Sequence, residues 1–140
     1  MDPFYRRLLN RRRHDRVVPE LGARICVVLR WDKGELSGRI HDISLGGLGI
    51  AVTARGATLL TQGLRVESKF AVPGTILPLV CKGKIAFIQT LKREALIGLS
   101  FDPNGRIAVH ALAIQRYVEA RQKAIHRWNE VMSHLPSSSN

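Results

Sequence analysis

Six short apolar runs, each closed by turn-forming residues, precede one long stretch of helical periodicity. That order confines the chain to an antiparallel barrel or sandwich followed by a helix. The runs are Ala23–Arg30, Leu36–Ile43, Leu48–Val52, Leu64–Val72, Leu79–Gln89 and Ala95–Phe101. The first is rich in β-branched residues, which suit a pleated, half-buried surface. Asp32-Lys33-Gly34-Glu35, Pro73-Gly74 and Lys92-Arg93-Glu94 supply turn chemistry between runs. In the second run, Leu36, Gly38, Ile40 and Asp42 share one strand parity.

The chain changes character after Phe101. Ile107, Ala111, Ile114, Val118, Ile125, Trp128, Met132 and Leu135 recur at spacings of four and three, with Arg121 as the one interruption. The spacing predicts a helix from about Arg106 to about His134, capped by Asp102 or Asn104 and stopped before Pro136. Such a helix is ~40 Å long, more than a small sheet domain needs for cover. Its first half is expected to pack on the sheet. Its second half, carrying Ile125, Trp128 and Met132, is expected to project toward a partner protein or a second copy of the chain. Residues 1–10 then form an N-terminal segment, 11–103 the sheet domain, 104–135 the helix and 136–140 a disordered tail.

The formal net charge is +11, and six arginines fall in the first sixteen residues against Asp2 and Asp15. Basicity on this scale favours a polyanionic partner: nucleic acid, an anionic membrane surface or a phosphorylated small ligand. No apolar run approaches the ~20 residues that span a bilayer. The first nine residues lack the apolar stretch of a secretory signal, so a cytoplasmic protein is expected. Cys26 and Cys81 sit inside strand-like runs and are expected to be reduced core thiols. His14, His41, His110, His126 and His134 are scattered, without zinc spacing. Asp15 and Asp42 alone do not make a two-metal cluster. These patterns suggest neither catalytic residues nor a metal or cofactor site, and favour a receptor over an enzyme.

Two short pieces of the chain ask for the same kind of ligand. Asn10-Arg11-Arg12-Arg13-His14-Asp15-Arg16 offers several guanidinium forks, which match phosphate oxygens and the Hoogsteen edge of guanine in a bidentate way. His41-Asp42-Ile43-Ser44-Leu45-Gly46-Gly47 places a carboxylate, a hydroxyl and a glycine pair on one turn. A carboxylate only accepts, so it suits the imino and amino donors on guanine's Watson–Crick edge. Together the pieces read as a site for a phosphorylated guanine ligand. Each piece also has a plainer reading, as a solvated basic turn and as an Asx-turn closing a hairpin.

The spacing Arg12-x-x-x-Arg16 followed by Asp42-x-Ser44-x-x-Gly47 resembles the two-part signature of PilZ domains, bacterial receptors for cyclic di-GMP. The resemblance runs from about Arg11 to Phe101, and Gly98-Leu99-Ser100-Phe101 fits the family's last strand. It implies a mainly β fold, a six-stranded antiparallel PilZ-type β-barrel with a long C-terminal α-helix. The arginine segment would be a loop before the first strand, folding across the barrel to meet the Asp42–Gly47 turn. Arg12 and Arg16 are then the principal ligand arginines, and Asp42 accepts hydrogen bonds from a guanine base. Ser44 donates to a phosphate or to the turn backbone. Gly47 gives close backbone approach or positive φ, a role Gly46 could share. Arg11 resembles the residue that, in some relatives, reaches the second molecule of an intercalated ligand dimer. Arg93, in the turn before the last strand, is a secondary candidate for closing over the ligand.

The resulting expectation is a cyclic di-GMP effector that changes conformation and signals to a partner in motility, exopolysaccharide or another surface-associated process. The alternatives are a small basic nucleic-acid-binding barrel and a protein-interaction module with a vestigial site. Asp42 weighs against the first, because a carboxylate among arginines hinders generic phosphate tracking. Intact motif residues weigh against the second.

Overall fold

The structure, a computed structural model, describes residues 16–20, 24–75, 77–103 and 108–134. Each apolar run becomes one strand: β1 Cys26–Trp31, β2 Gly34–Ile43, β3 Gly47–Thr53, β4 Arg65–Phe70, β5 Leu79–Thr90 and β6 Glu94–Phe101. All pairings are antiparallel and close in the order β1-β2-β3-β6-β5-β4. Closure leaves no open sheet edge and decides for barrel over sandwich. One turn of helix not expected from the sequence, α1 (Ala54–Ala57), follows β3 and is capped by Thr53, whose hydroxyl accepts from Gly56 N at 2.9 Å. The C-terminal helix α2 spans Ala108–His134.

Strand alternation fills the barrel. Val27 and Leu29 of β1, Ile40 and Ile43 of β2, Ile50 of β3, Ile85 of β5 and Ile97 of β6 are buried together. Each such side chain stabilises the fold by about 1.5–3 kcal/mol relative to its exposed state. Cys81 lies in this core, but Cys26 takes the outward parity beside inward Val27 and is exposed. The expected pair of core thiols is therefore one core and one surface thiol.

Alternation fails at two places, and both are β-bulges. In β2, Ile40 faces Ile50 and Asp42 faces Gly49, leaving His41 as the extra residue. In β5, Ile85 faces Leu99 and Phe87 faces Gly98, leaving Ala86 as the extra residue. An inserted residue shifts the inside–outside pattern by one position. Asp42 therefore leaves the parity of Ile40, and Ile43 takes the interior place instead. Phe87 likewise leaves the parity of Ile85, and Ile88 packs inward.

Helix α2 docks through Ile114, Tyr117 and Val118, all buried, and His110 Nδ1 lies 3.0 Å from the Val80 carbonyl oxygen. Past Arg121 the apolar stripe continues without cover among the described residues: Ile125, Trp128, Val131 and Met132 are exposed. Asp102, one of the two expected caps, lies just before a stretch, 104–107, outside the described residues. Its carboxylate accepts from Arg65 Nη1 at 2.8 Å, and Asn104, Ile107 and Leu135 lie outside the described residues. The N-terminal segment 1–10 and the tail 136–140 lie outside them as well.

Barrel packing thus ends near Arg121, and two truncations on one stripe check this by urea denaturation. Ile114→Ala should cost about 2–5 kcal/mol. Ile125→Ala should change stability by no more than about 0.5 kcal/mol. Equal costs at the two positions would contradict the docking described here.

Candidate ligand-binding site

Residues 16–20 form an extended strap against the end of β2. The register of β1 starts at the Cys26–Arg39 pair, so the last residues of β2 overhang β1. Ile40 N donates to Ile25 O at 2.8 Å, and Val17 fills the last place. Val17 and Ile43 exchange both backbone hydrogen bonds at 2.9 Å, and the Val17 side chain is buried. With Val17 inward, Arg16 points outward. Across an antiparallel bridge it is a diagonal neighbour of Asp42, within reach of a long side chain. Arg16 Nη1 lies 3.6 Å from Asp42 Oδ1. Arg16, the last residue of the arginine motif, therefore meets Asp42 of the turn motif.

The bulge at His41 creates this meeting. By simple alternation Asp42 would follow Ile40 into the apolar interior, where an unpaired carboxylate is costly. Outside, it lies over Gly49, its cross-strand partner, and a Cβ there would sit 2.8 Å from both carboxylate oxygens. Oδ2 is 3.3 Å from His41 Nδ1. Oδ1 is buried and accepts no hydrogen bond among the described residues, since the Arg16 contact is beyond bonding distance. A buried acceptor without a donor costs about 1–3 kcal/mol. It is available to a donor that reaches it.

Ser44 and Gly47 serve the turn beside this acceptor. Ser44 is buried, its Oγ accepts from Gly46 N at 3.1 Å, and its backbone N donates to Gly47 O at 3.0 Å. Gly47 does not have positive φ; among the described residues Gly63 and Gly74 do. Gly47 lacks a Cβ because the Leu99 carbonyl oxygen of β6 fills that space. Gly46 O accepts from Phe101 N at 2.9 Å, tying the turn to the end of β6. The turn is thus braced by its own backbone.

Arg93 is not brought to this site. The Thr53–Glu94 pair puts the β5–β6 turn at the other end of the ladder, and Arg93 O accepts from Ala54 N. Five residue steps separate it from the level of Asp42, roughly 16 Å along the strand. Arg11 and Arg12 lie outside the described residues.

The structure also ties the strap to α2, which the sequence did not signal. Arg121 Nε donates to Val18 O at 2.8 Å, and Tyr117 OH donates to Glu20 Oε2 at 3.0 Å. The break in the apolar stripe at Arg121 is therefore a clasp on the strap, two residues from Arg16. Burial, and then the hydrogen bond to Glu20 and its charge, raise the Tyr117 pKa well above its ordinary value, against a smaller opposing effect of Arg121.

The sequence matches the PilZ domain family over residues 10–120, and the chain belongs to that family. It is similar in structure to the PilZ domain of YcgR from Escherichia coli, solved with c-di-GMP: TM-score 0.67 and 19% identity, over 86% of this chain and 98% of that one. It is also similar to the Bacillus subtilis inhibitor of motility MotI/DgrA (TM-score 0.67, 15% identity, 81% of this chain and 52% of that one). A third is MrkH of K. pneumonia in its c-di-GMP complex (TM-score 0.68, 15% identity, 83% of this chain and 54% of that one). The chain thus spans about half the length of these last two. No curated protein sequence matches it.

The raised Tyr117 pKa gives a signed expectation. An unfolded tyrosine ionises near pH 10 and the folded one above that, so the interaction contributes fully below about pH 10 and is lost as pH rises further. The stability advantage of the wild type over Tyr117→Phe should be constant from about pH 7 to 9 and shrink by about pH 11. Denaturant titrations at these pH values measure it, and a gap that widens with pH would refute the assignment.

Proposed function

We propose that this chain is a receptor for cyclic di-GMP, with its ligand between the Arg16 strap and the Asp42 turn. The observation that carries the reading is the meeting of Arg16 and Asp42 at 3.6 Å from separate parts of the chain. The ligand joins two guanines through two phosphodiesters, so it needs acceptors for the base edges and cations for the phosphates. Asp42 supplies the acceptor, with Oδ1 free of hydrogen bonds among the described residues. Arg16 supplies a planar fork for a phosphate or for guanine O6 and N7, and Arg12 is assigned the second fork. The complexes of YcgR and MrkH with c-di-GMP support the same ligand class.

The +11 charge also suits nucleic acid, but the guanine-selective carboxylate favours the small ligand. Salt separates the two, because polyanion affinity falls steeply as salt rises. Ligand binding alters the protein only through unequal affinity for its conformations. Arg16 drawn onto the ligand loads the strap, and the strap is clasped to α2 by Arg121 and Tyr117. The uncovered Trp128 and Met132 end of α2 is then the surface that reports binding to a partner protein or a second copy. The receptor thereby acts on a surface-associated process such as motility or exopolysaccharide secretion.

Calorimetric titration with cyclic di-GMP, with GTP as control, tests the reading. Arg16→Ala and Asp42→Ala should each weaken binding more than tenfold, at least ~1.4 kcal/mol, without unfolding the barrel. Unchanged affinity in folded variants would remove the site. Arg11→Leu should lower the stoichiometry from two ligands per chain toward one, as expected if Arg11 holds the second molecule of an intercalated dimer. A stoichiometry of two that survives in that variant removes the role of Arg11.

A further inference from the structure

The stripe that docks α2 on the barrel runs on past Arg121 with nothing over it among the described residues. Trp128 is 62% and Val131 60% exposed, and Ile125 and Met132 are exposed beside them. Ile125, Trp128 and Met132 continue the four-and-three spacing of Ile114, Val118 and Arg121. On a helix with that repeat, Ala124 and Val131 border the stripe on one side, and Gln122 and Asn129 border it on the other. All four bordering residues are neutral. Lys123 and Arg127 lie beyond these borders, and His126 Nε2 pairs with Glu130 Oε1 at 3.2 Å on the far side. Arg121, the one cation on the stripe, is engaged by Val18 O at 2.8 Å.

From this pattern we infer that the distal half of α2, Arg121 to His134, is a homodimer seam, covered by the same segment of a second copy running antiparallel. The inference rests on the receptor reading above for its role as an output surface, and it names what covers that surface. An acidic groove or anionic lipid would be recognised by cations bordering the stripe, and here the borders are neutral. A second copy meets neutral borders with neutral borders. A parallel pair fails on space, because the barrel already occupies the same stripe at Ile114, Tyr117 and Val118, and two barrels would compete for one place. An antiparallel pair sets the barrels at opposite ends. In that direction the stripe complements itself. With Ile125 of one copy against Trp128 of the other, Ala124 falls level with Val131, Gln122 with Asn129, and Met132 with the stem of Arg121. Each pairing occurs twice, as a two-fold axis requires. The exposed apolar side chains are then covered, and each helix ends where the barrel of the other copy takes over the stripe. The contact is only ~20 Å long, a small interface that separates on dilution.

Sedimentation equilibrium of the full chain over a hundredfold range of concentration tests the seam, with each variant first shown folded by circular dichroism. The wild type should show a reversible monomer–dimer equilibrium without ligand. Trp128→Gln should raise the dimer dissociation constant at least tenfold, and Lys123→Gln should leave it unchanged. Spin labels on Glu119→Cys, in a Cys26→Ser background, should lie more than ~20 Å apart in the dimer. A separation of ~10 Å would mean parallel helices and overturn the arrangement. A wild type that stays monomeric overturns the seam, and sedimentation of that monomer with phosphatidylglycerol vesicles, lost in Trp128→Gln, would assign the surface to lipid instead. Calorimetry on the same samples separates the two readings. A dimer that binds no cyclic di-GMP removes the receptor and leaves the seam, whereas a monomer that binds it does the reverse. Should Trp128→Gln not fold, Met132→Gln decides.

Discussion

The site depends on a one-residue slip in β2. A strand that alternated strictly through His41 would carry the Asp42 side chain into the cavity filled by Ile40, Ile43 and Ile50. The chain would then bury a charge or lose the barrel. The bulge resolves this by handing the interior place to Ile43 and the surface place to Asp42. It also sets Ile43 where its backbone can pair with Val17, so the same slip orients the acceptor and anchors the strap that brings Arg16. Two requirements that look separate in sequence, a carboxylate on the turn and an arginine upstream, are met by one backbone feature.

The strap joins the barrel end to the helix. Val17 is held by β2, while Val18 and Glu20 are held by Arg121 and Tyr117 of α2. The helix is therefore bound to the segment that carries Arg16 as well as to the barrel wall. Movement of the strap cannot leave α2 unaffected while these bonds hold. The two bonds differ in kind. One runs from a guanidinium to a main-chain oxygen, and the other is a phenol–carboxylate pair partly shielded from water, where hydrogen bonds strengthen.

The sequence made the strand count, the turn positions, the helix and the arginine–aspartate pairing legible, because each rests on local periodicity or fixed spacing. It did not make the bulges legible in advance. Reading Asp42 on the parity of Leu36 and Ile40 was the natural result of a period of two, and no residue in Gly38-Arg39-Ile40-His41 announces the break. The β5 bulge left a trace: Ile85-Ala86-Phe87-Ile88 is continuously apolar, which an alternating strand would not need. Gly49 and Gly98 also left one, since glycine inside a strand marks close approach of something above it. What lies above them is fixed by cross-strand register, which couples residues 49 and 98 and cannot be read from either neighbourhood alone. The clasp between Arg121 and Val18 was hidden for the same reason, spanning 103 residues.

The looseness of the Arg16–Asp42 pair suits a site that exchanges one partner for another. At 3.6 Å, with the Arg16 side chain about one-third exposed, the pair belongs with surface ion pairs worth about 0–1 kcal/mol. A bidentate, buried pair would be a poor starting point, because breaking it strands a charge at a cost of about 3–5 kcal/mol. In the proposed receptor a guanine donor would meet Asp42 and a phosphate Arg16 with little to undo, each charge exchanging a loose partner for a closer one. Until then the weak pair keeps the two charges near each other and limits their repulsion of further like charges. The strap is held in place by the Val17 bridge and the α2 clasp, not by the Arg16–Asp42 pair, so that pair is left available for the proposed ligand.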